Sequence, residues 1–151
     1  MSARNPNELS LQTYRRARAL LISSVAVLLL WNLWGYDVWA PDEPYLAEGA
    51  REMLVDGQWL VPHINGELDN HKPPLFFWLI AVLSLPFGEV SAFTARLPSV
   101  LVALVSVLLT MRLASKVGGR RVALLAGAVL PLSYLFYDKA RTSQIDSLLC
   151  A

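Results

Sequence analysis

The sequence predicts an all-α, polytopic membrane protein. Hydrophobic residues make up 55% of the 151-residue chain and charged residues only 17%, against about 25% in ordinary soluble domains. The apolar residues are gathered into charge-free runs, Ala19–Tyr36, Pro73–Gly88, Leu97–Met111 and Val122–Tyr137. Between the first two lies one long polar stretch, Trp39 to Leu75, dense in ionisable groups. Ionisable groups kept next to lipid point to function, so this stretch is the candidate site and the apolar runs are its scaffold.

The length allows one domain at most. A net charge of +1 gives no basic excess for a nucleic-acid partner, and a single cysteine, Cys150, excludes an intrachain disulfide.

Residues 1–18 form a basic amino terminus with Arg4, Arg15, Arg16 and Arg18. The first transmembrane helix is expected at 19–37, with Trp31, Trp34, Tyr36 and Trp39 at its far end as an interfacial aromatic belt. A cleaved signal peptide is the competing reading. It fits less well, because a cut after Ala40 would follow bulky Trp39 and precede Pro41.

The segment 38–92 is expected to be an outer loop with two helices lying along the membrane, at about 44–55 and 75–85. Leu46, Ala50, Met53 and Leu54 form an amphipathic stripe. Pro44 suits the first turn, and Gly57 follows the end. Asn65-Gly66 marks a tight turn between Leu60–Ile64 and Glu67–Asp69. The run after Pro73-Pro74 is cut by Pro86 and Gly88, which leaves it too short for a span of ~20 residues.

A second transmembrane helix is expected at 93–117, a cytoplasmic turn at 118–121 and a third helix at 122–138. The remaining 139–151 are an outer turn and the start of another helix. With three spans, Arg4, Arg15, Arg16, Arg18, Arg112, Lys116, Arg120 and Arg121 lie inside. Arg51, Lys72, Arg96, Lys139 and Arg141 lie outside, an eight-to-five split. Four spans would give seven to six, so the positive-inside rule favours three. This places Asp146 on the same side as Asp42.

Three groups of residues are candidates for chemistry. Asp42-Glu43 reads either as a helix N-cap or as a general base where the first span meets water. Lys72 reads as an interfacial anchor or as a compact charge for a phosphate. Beside it, His71 reads as another anchor or, with Asp69, Glu67 or Asp42, as a ligand of a divalent metal ion. Arg141 and Asp146 read as a solvated turn, or as part of the same site through the topology.

The stretches PDEPYLAEGAREML, GQWLVPHINGE, KPPLFFWLIA, ARLPS and ARTSQIDSLL resemble the amino-terminal part of bacterial glycosyltransferases of the GT-C fold. More narrowly, they resemble the protein O-mannosyltransferase-like group that includes the lipid A aminoarabinose transferases. The resemblance covers about residues 36–149. It implies a multi-span helical bundle in the bacterial cytoplasmic membrane, moving a sugar from a polyprenyl-phosphate carrier to a glycan, lipid or protein acceptor on the periplasmic side. It further implies catalytic roles for Asp42, Glu43 and Asp146, with Asp42 the base, and donor-phosphate contacts by Lys72. Arg141 is added as a second cation for the phosphate.

Where the aminoarabinose transferases carry an acidic metal ligand this chain has His71, and where they carry an arginine after the acidic pair it has Tyr45. The first departure bears on the metal site, and the second points away from an aminoarabinose donor. Family members are far longer, so the chain is expected to be a fragment, inactive alone. The alternative function is a non-catalytic membrane component, such as part of a transporter or of an accessory subunit. Transporters place ionisable groups inside their spans, whereas here they sit in loops.

Overall fold

The computed structural model describes residues 9–38, 42–68 and 71–144. These are mainly helical. Helix α1 is Leu11–Leu30, α2 Asp42–Asp56, α3 Leu75–Ser84, α4 Ala92–Val129 and α5 Tyr134–Ala140; β1 (His63–Ile64) and β2 (Glu67–Leu68) form a small antiparallel hairpin.

Helix α1 begins well before the expected 19–37 segment and ends short of it. Ser10 caps it by accepting from the Thr13 backbone N–H. Arginine is a good helix former, so Arg15, Arg16 and Arg18 are taken into the first turns. At 1.5 Å per residue, its 20 residues reach about 30 Å. The belt residues Trp31 and Trp34 lie in the turn that follows.

The expected turn at 118–121 is a break inside α4. Gly119 has φ 76° and ψ −170°, a backbone state that a side chain rarely adopts. The chain reverses there. A Cβ placed on Gly127 would lie 2.5 Å from the Met111 side chain, so the two arms touch. The first arm runs antiparallel to α1: Arg96 at its start bonds the Leu33 carbonyl, and Arg120 just past the break bonds the Leu9 carbonyl. Among the described residues, Ala92–Leu132 is the one helical stretch long and apolar enough to cross a membrane.

The expected single helix 122–138 is corrected. The second arm gives way to a 3₁₀ turn at Leu130–Leu132, and Ser133 is extended before α5 starts. Pro131 is the cause, since it lacks the N–H that an uninterrupted helix requires. Likewise α3 passes into a 3₁₀ turn at Leu85–Phe87 around Pro86.

Two apolar clusters hold these parts. Val25, Leu29 and Leu33 of the first segment pack with Val100, Ala103, Val107 and Met111 of α4 and with Ala140. Leu46, Ala50 and Met53 of α2 pack with Phe76, Phe77, Ile80 and Ala81 of α3 and with Ala95. Where such a side chain would otherwise meet water, burying it is worth about 1.5–3 kcal/mol; between spans in lipid, close packing takes that role. The loop helices α2 and α3 are thereby fixed to the start of α4. Gly49 makes this possible, because a Cβ there would lie 2.5 Å from the Phe77 ring.

The hairpin follows the sequence expectation. Asn65 and Gly66 have φ of 56° and 79°, the paired positive values of a type I′ turn. The Gly66 N–H donates to the Glu52 carboxylate at 3.2 Å, tying the turn to α2.

Candidate active site

The polar loop returns to the bundle at the amino-terminal end of α2. Asp42 and Glu43 occupy its first turn, where the helix dipole favours negative charge. Successive helical residues point in different directions, and the two carboxylates have different surroundings.

Glu43 faces inward and is 3% exposed. Its oxygens accept from Arg96 Nε at 2.9 Å and Arg96 Nη2 at 2.8 Å. Arg96 is wholly buried. Its Nη1 also donates to the carbonyls of Leu33 (2.9 Å) and Tyr36 (3.0 Å), and its Nη2 to that of Asp37 (2.9 Å). All five guanidinium N–H donors therefore have acceptors. The Tyr36 ring lies 4.0 Å from the guanidinium carbon, in cation–π range. Glu43 accepts a further bond from the Ser143 backbone N–H at 2.7 Å. One buried ion pair thus joins the end of the first helical segment, the start of α2, the start of α4 and the segment after α5.

Asp42 faces outward. Its Oδ1 lies 2.5 Å from Lys72 Nζ, thirty residues away. The pair is partly open to solvent, with side-chain exposures of 28% for Lys72 and 40% for Asp42. The Lys72 ammonium also lies 4.9 Å from the centre of the Tyr45 ring. The pair is held from both sides: Asp42 by the anchored first turn of α2, Lys72 by the Pro73-Pro74 entry into α3, whose packing on α2 is fixed by Gly49 and Phe77. This geometry offers a carboxylate and a cation side by side at an accessible surface, on a rigid frame.

Arg141, the other expected phosphate cation, ends α5 two residues before Ser143. Its Nη1 donates to the Tyr137 hydroxyl and its Nη2 to the Trp31 carbonyl. Its Nε and the Ser143 hydroxyl are buried without hydrogen-bond partners among the described residues. His71 sits in the turn beside Lys72. Among the described residues, no three His, Cys, Asp or Glu side chains gather as a metal site. Asp69 and the expected catalytic Asp146 lie outside the described residues.

Sequence reasoning passed over Arg96 as a site residue and counted it only as an outer positive charge. The available signal was an arginine opening an otherwise apolar run in the ARLPS stretch, since an arginine there requires a buried partner.

The sequence profile described as "Dolichyl-phosphate-mannose-protein mannosyltransferase" matches residues 71–151. The chain belongs to this mannosyltransferase family. It corresponds to the amino-terminal part of a GT-C glycosyltransferase. An undecaprenyl phosphate-α-4-amino-4-deoxy-L-arabinose arabinosyl transferase from Pseudomonas savastanoi pv. phaseolicola is 36% identical over 132 residues, 87% of this chain and 25% of that protein. An uncharacterized protein from Aquifex aeolicus is 34% identical over 81% of this chain and 24% of its own length. The crystal structure of ArnT from Cupriavidus metallidurans bound to undecaprenyl phosphate superposes with a TM-score of 0.81 at 27% identity, covering 87% of this chain and 24% of that one. Its apo state gives a TM-score of 0.75. This member of the mannosyltransferase family spans about a quarter of the length of the relatives it matches.

Proposed function

We propose that this chain forms the donor-phosphate and base half of a membrane glycosyltransferase that takes a sugar from a polyprenyl-phosphate carrier. The observation that carries the proposal is the accessible Asp42–Lys72 pair, built on the buried Glu43–Arg96 frame. The similarity to an ArnT crystallised with undecaprenyl phosphate supports a carrier of that class.

Without donor, Lys72 neutralises Asp42. A bound carrier phosphate takes over the ammonium and leaves Asp42 free to accept a proton. The acceptor hydroxyl attacks the anomeric carbon and gives its proton to Asp42. The new C–O bond forms as the bond to the carrier phosphate breaks, and polyprenyl phosphate leaves with the electron pair beside Lys72. Direct displacement inverts the anomeric centre. Glu43, already committed to Arg96 and Ser143, holds the first turn of α2 in place. Arg141 joins the phosphate only if its bonds to Tyr137 and Trp31 open. Asp146 is retained as a further acid of the site, and the acceptor is a hydroxyl of a glycan, lipid or protein.

The protein would sit in the cytoplasmic membrane with α1 and the two arms of α4 as three spans. The break at Gly119 and the Arg120–Leu9 contact gather positive charge at one end of the bundle, which supports that end as the cytoplasmic one. The site then faces outward, and α2 and α3 lie along the outer surface.

The test is the anomeric configuration of the product formed by a full-length protein containing this chain. With an undecaprenyl-phosphate-linked sugar of known anomer, inversion is expected by NMR. Retention would overturn direct displacement.

A further inference from the structure

At the opposite end of the bundle from Asp42, an open cleft of about 460 Å³ lies between α1 and the first arm of α4. Tyr14 and Arg18 line it from α1; Leu108, Arg112 and Ser115 line it from α4, with Leu109 beside them. Each set shares one helix face: residues 14 and 18 are four apart, and residues 108, 112 and 115 are spaced by four and three. The two helices run antiparallel, so the lining is layered. Along the bundle axis, Tyr14 and Ser115 lie nearest the end, Arg18 and Arg112 come next, and Leu108 and Leu109 lie farthest from it.

The cleft is cationic above and apolar below. No acidic residue occurs between Leu9 and Leu30 or between Leu97 and Val129. Both arginines are exposed. Arg15, Arg16, Lys116, Arg120 and Arg121 add to the positive field of this end. The ligand that complements such a cleft carries a negative headgroup joined to an apolar chain.

We propose that the cleft binds one anionic phospholipid of the surrounding leaflet, its phosphate between Arg18 and Arg112 and an acyl chain over Leu108 and Leu109. Arginine suits the role because its planar fork donates to two phosphate oxygens at once. The proposal rests on the membrane-embedded reading above and is independent of the transferase chemistry.

The test places the chain in bilayers of equal phosphatidylglycerol and phosphatidylcholine and counts retained lipids by native mass spectrometry. Wild type is expected to retain phosphatidylglycerol in preference. In R18Q/R112Q the preference should fall about tenfold or more, at roughly 1 kcal/mol per basic side chain. Glutamine keeps the helices intact, and R15Q/R121Q, exposed on the same end but outside the cleft, should stay near wild type. An equal loss in both double variants would reduce the effect to a diffuse surface field and overturn the site. So would unchanged binding in R18Q/R112Q. A photo-crosslinking residue at Tyr14, in a longer protein containing this chain, should capture lipid; capture of a protein segment would overturn the proposal. Failure to enter pure phosphatidylcholine vesicles would overturn the embedded reading and the cleft together. Entry without phosphatidylglycerol preference would overturn the cleft alone.

Discussion

Arg96 and Glu43, fifty-three residues apart, form a bidentate ion pair that solvent does not reach. One apolar cluster ties α1 to α4, and the other ties α2 and α3 to the start of α4 at Ala95. The ion pair adds a direct tie between the end of the first helical segment and the start of α2. Asp42 is therefore positioned by its neighbour.

The first prediction is that Arg96→Met destabilises the fold by about 3–5 kcal/mol, because Glu43 is left charged, buried and unmatched. Adding Glu43→Gln should recover part of the loss, since the unpaired charge is removed. Thermal unfolding in detergent checks this. Additive losses in the double variant would show that the two side chains act separately.

A second prediction concerns Gly119. Its φ of 76° makes Gly119→Val strained by about 1–2 kcal/mol, whereas Gly118→Ala, at a position without positive φ, avoids that backbone strain. Gly118→Ala would still have to move Val122, whose side chain lies 2.6 Å from a Cβ placed there. The lowered unfolding temperature of the Val variant is the measurement. The same reversal places Ser115 and Asn65 at opposite ends, so cysteines introduced there should label from opposite sides of the membrane. Labelling of both from the periplasm alone would overturn the three-span arrangement.

The helical class, the Asn65-Gly66 hairpin and the reversal near residues 118–121 were legible in the sequence, because each is encoded locally by periodicity or by turn residues. Two features were not. The interruption at Pro131 lay inside a charge-free run, and counting charge hid the missing N–H that breaks the helix. The role of Arg96 was invisible for a different reason. Three of its five bonds go to the backbone carbonyls of Leu33, Tyr36 and Asp37, and a carbonyl leaves no mark in a sequence. The nearness of Asp42 to Lys72 depends in turn on how α2 and α3 pack, which rests on Gly49 meeting the Phe77 ring.

The third prediction concerns Lys72, in a full-length protein containing this chain. Lys72→Ala removes a part-exposed ion pair, worth about 0–1 kcal/mol, so the fold should persist. Donor affinity should fall more, by about tenfold or above, because a charge-assisted bond to phosphate is worth about 1.5–3 kcal/mol. Lys72→Arg should restore only part of it, since a flat fork does not replace a point charge. Unchanged affinity for the undecaprenyl-phosphate-linked donor in the Ala variant would make Lys72 an interfacial anchor.

The last prediction separates the two carboxylates that share one turn of α2. Asp42→Asn keeps the size and hydrogen-bonding oxygen of the side chain, and Asp42 lies at a helix start where Asn is well tolerated. It gives up only the exposed pair with Lys72, so stability should change by less than about 1 kcal/mol. Turnover in a full-length protein should nevertheless fall by ~10²–10⁴, the usual worth of a positioned base. Glu43→Gln should show the reverse order. The neutral amide cannot match the buried Arg96 charge, so the loss of stability should come first, with turnover falling as the frame around Asp42 loosens. Measuring both quantities in both variants decides the matter. A stable Asp42→Asn enzyme with near-normal turnover would show that the proton goes elsewhere. Normal stability with lost turnover in Glu43→Gln would make Glu43, rather than its neighbour, the group that meets the acceptor.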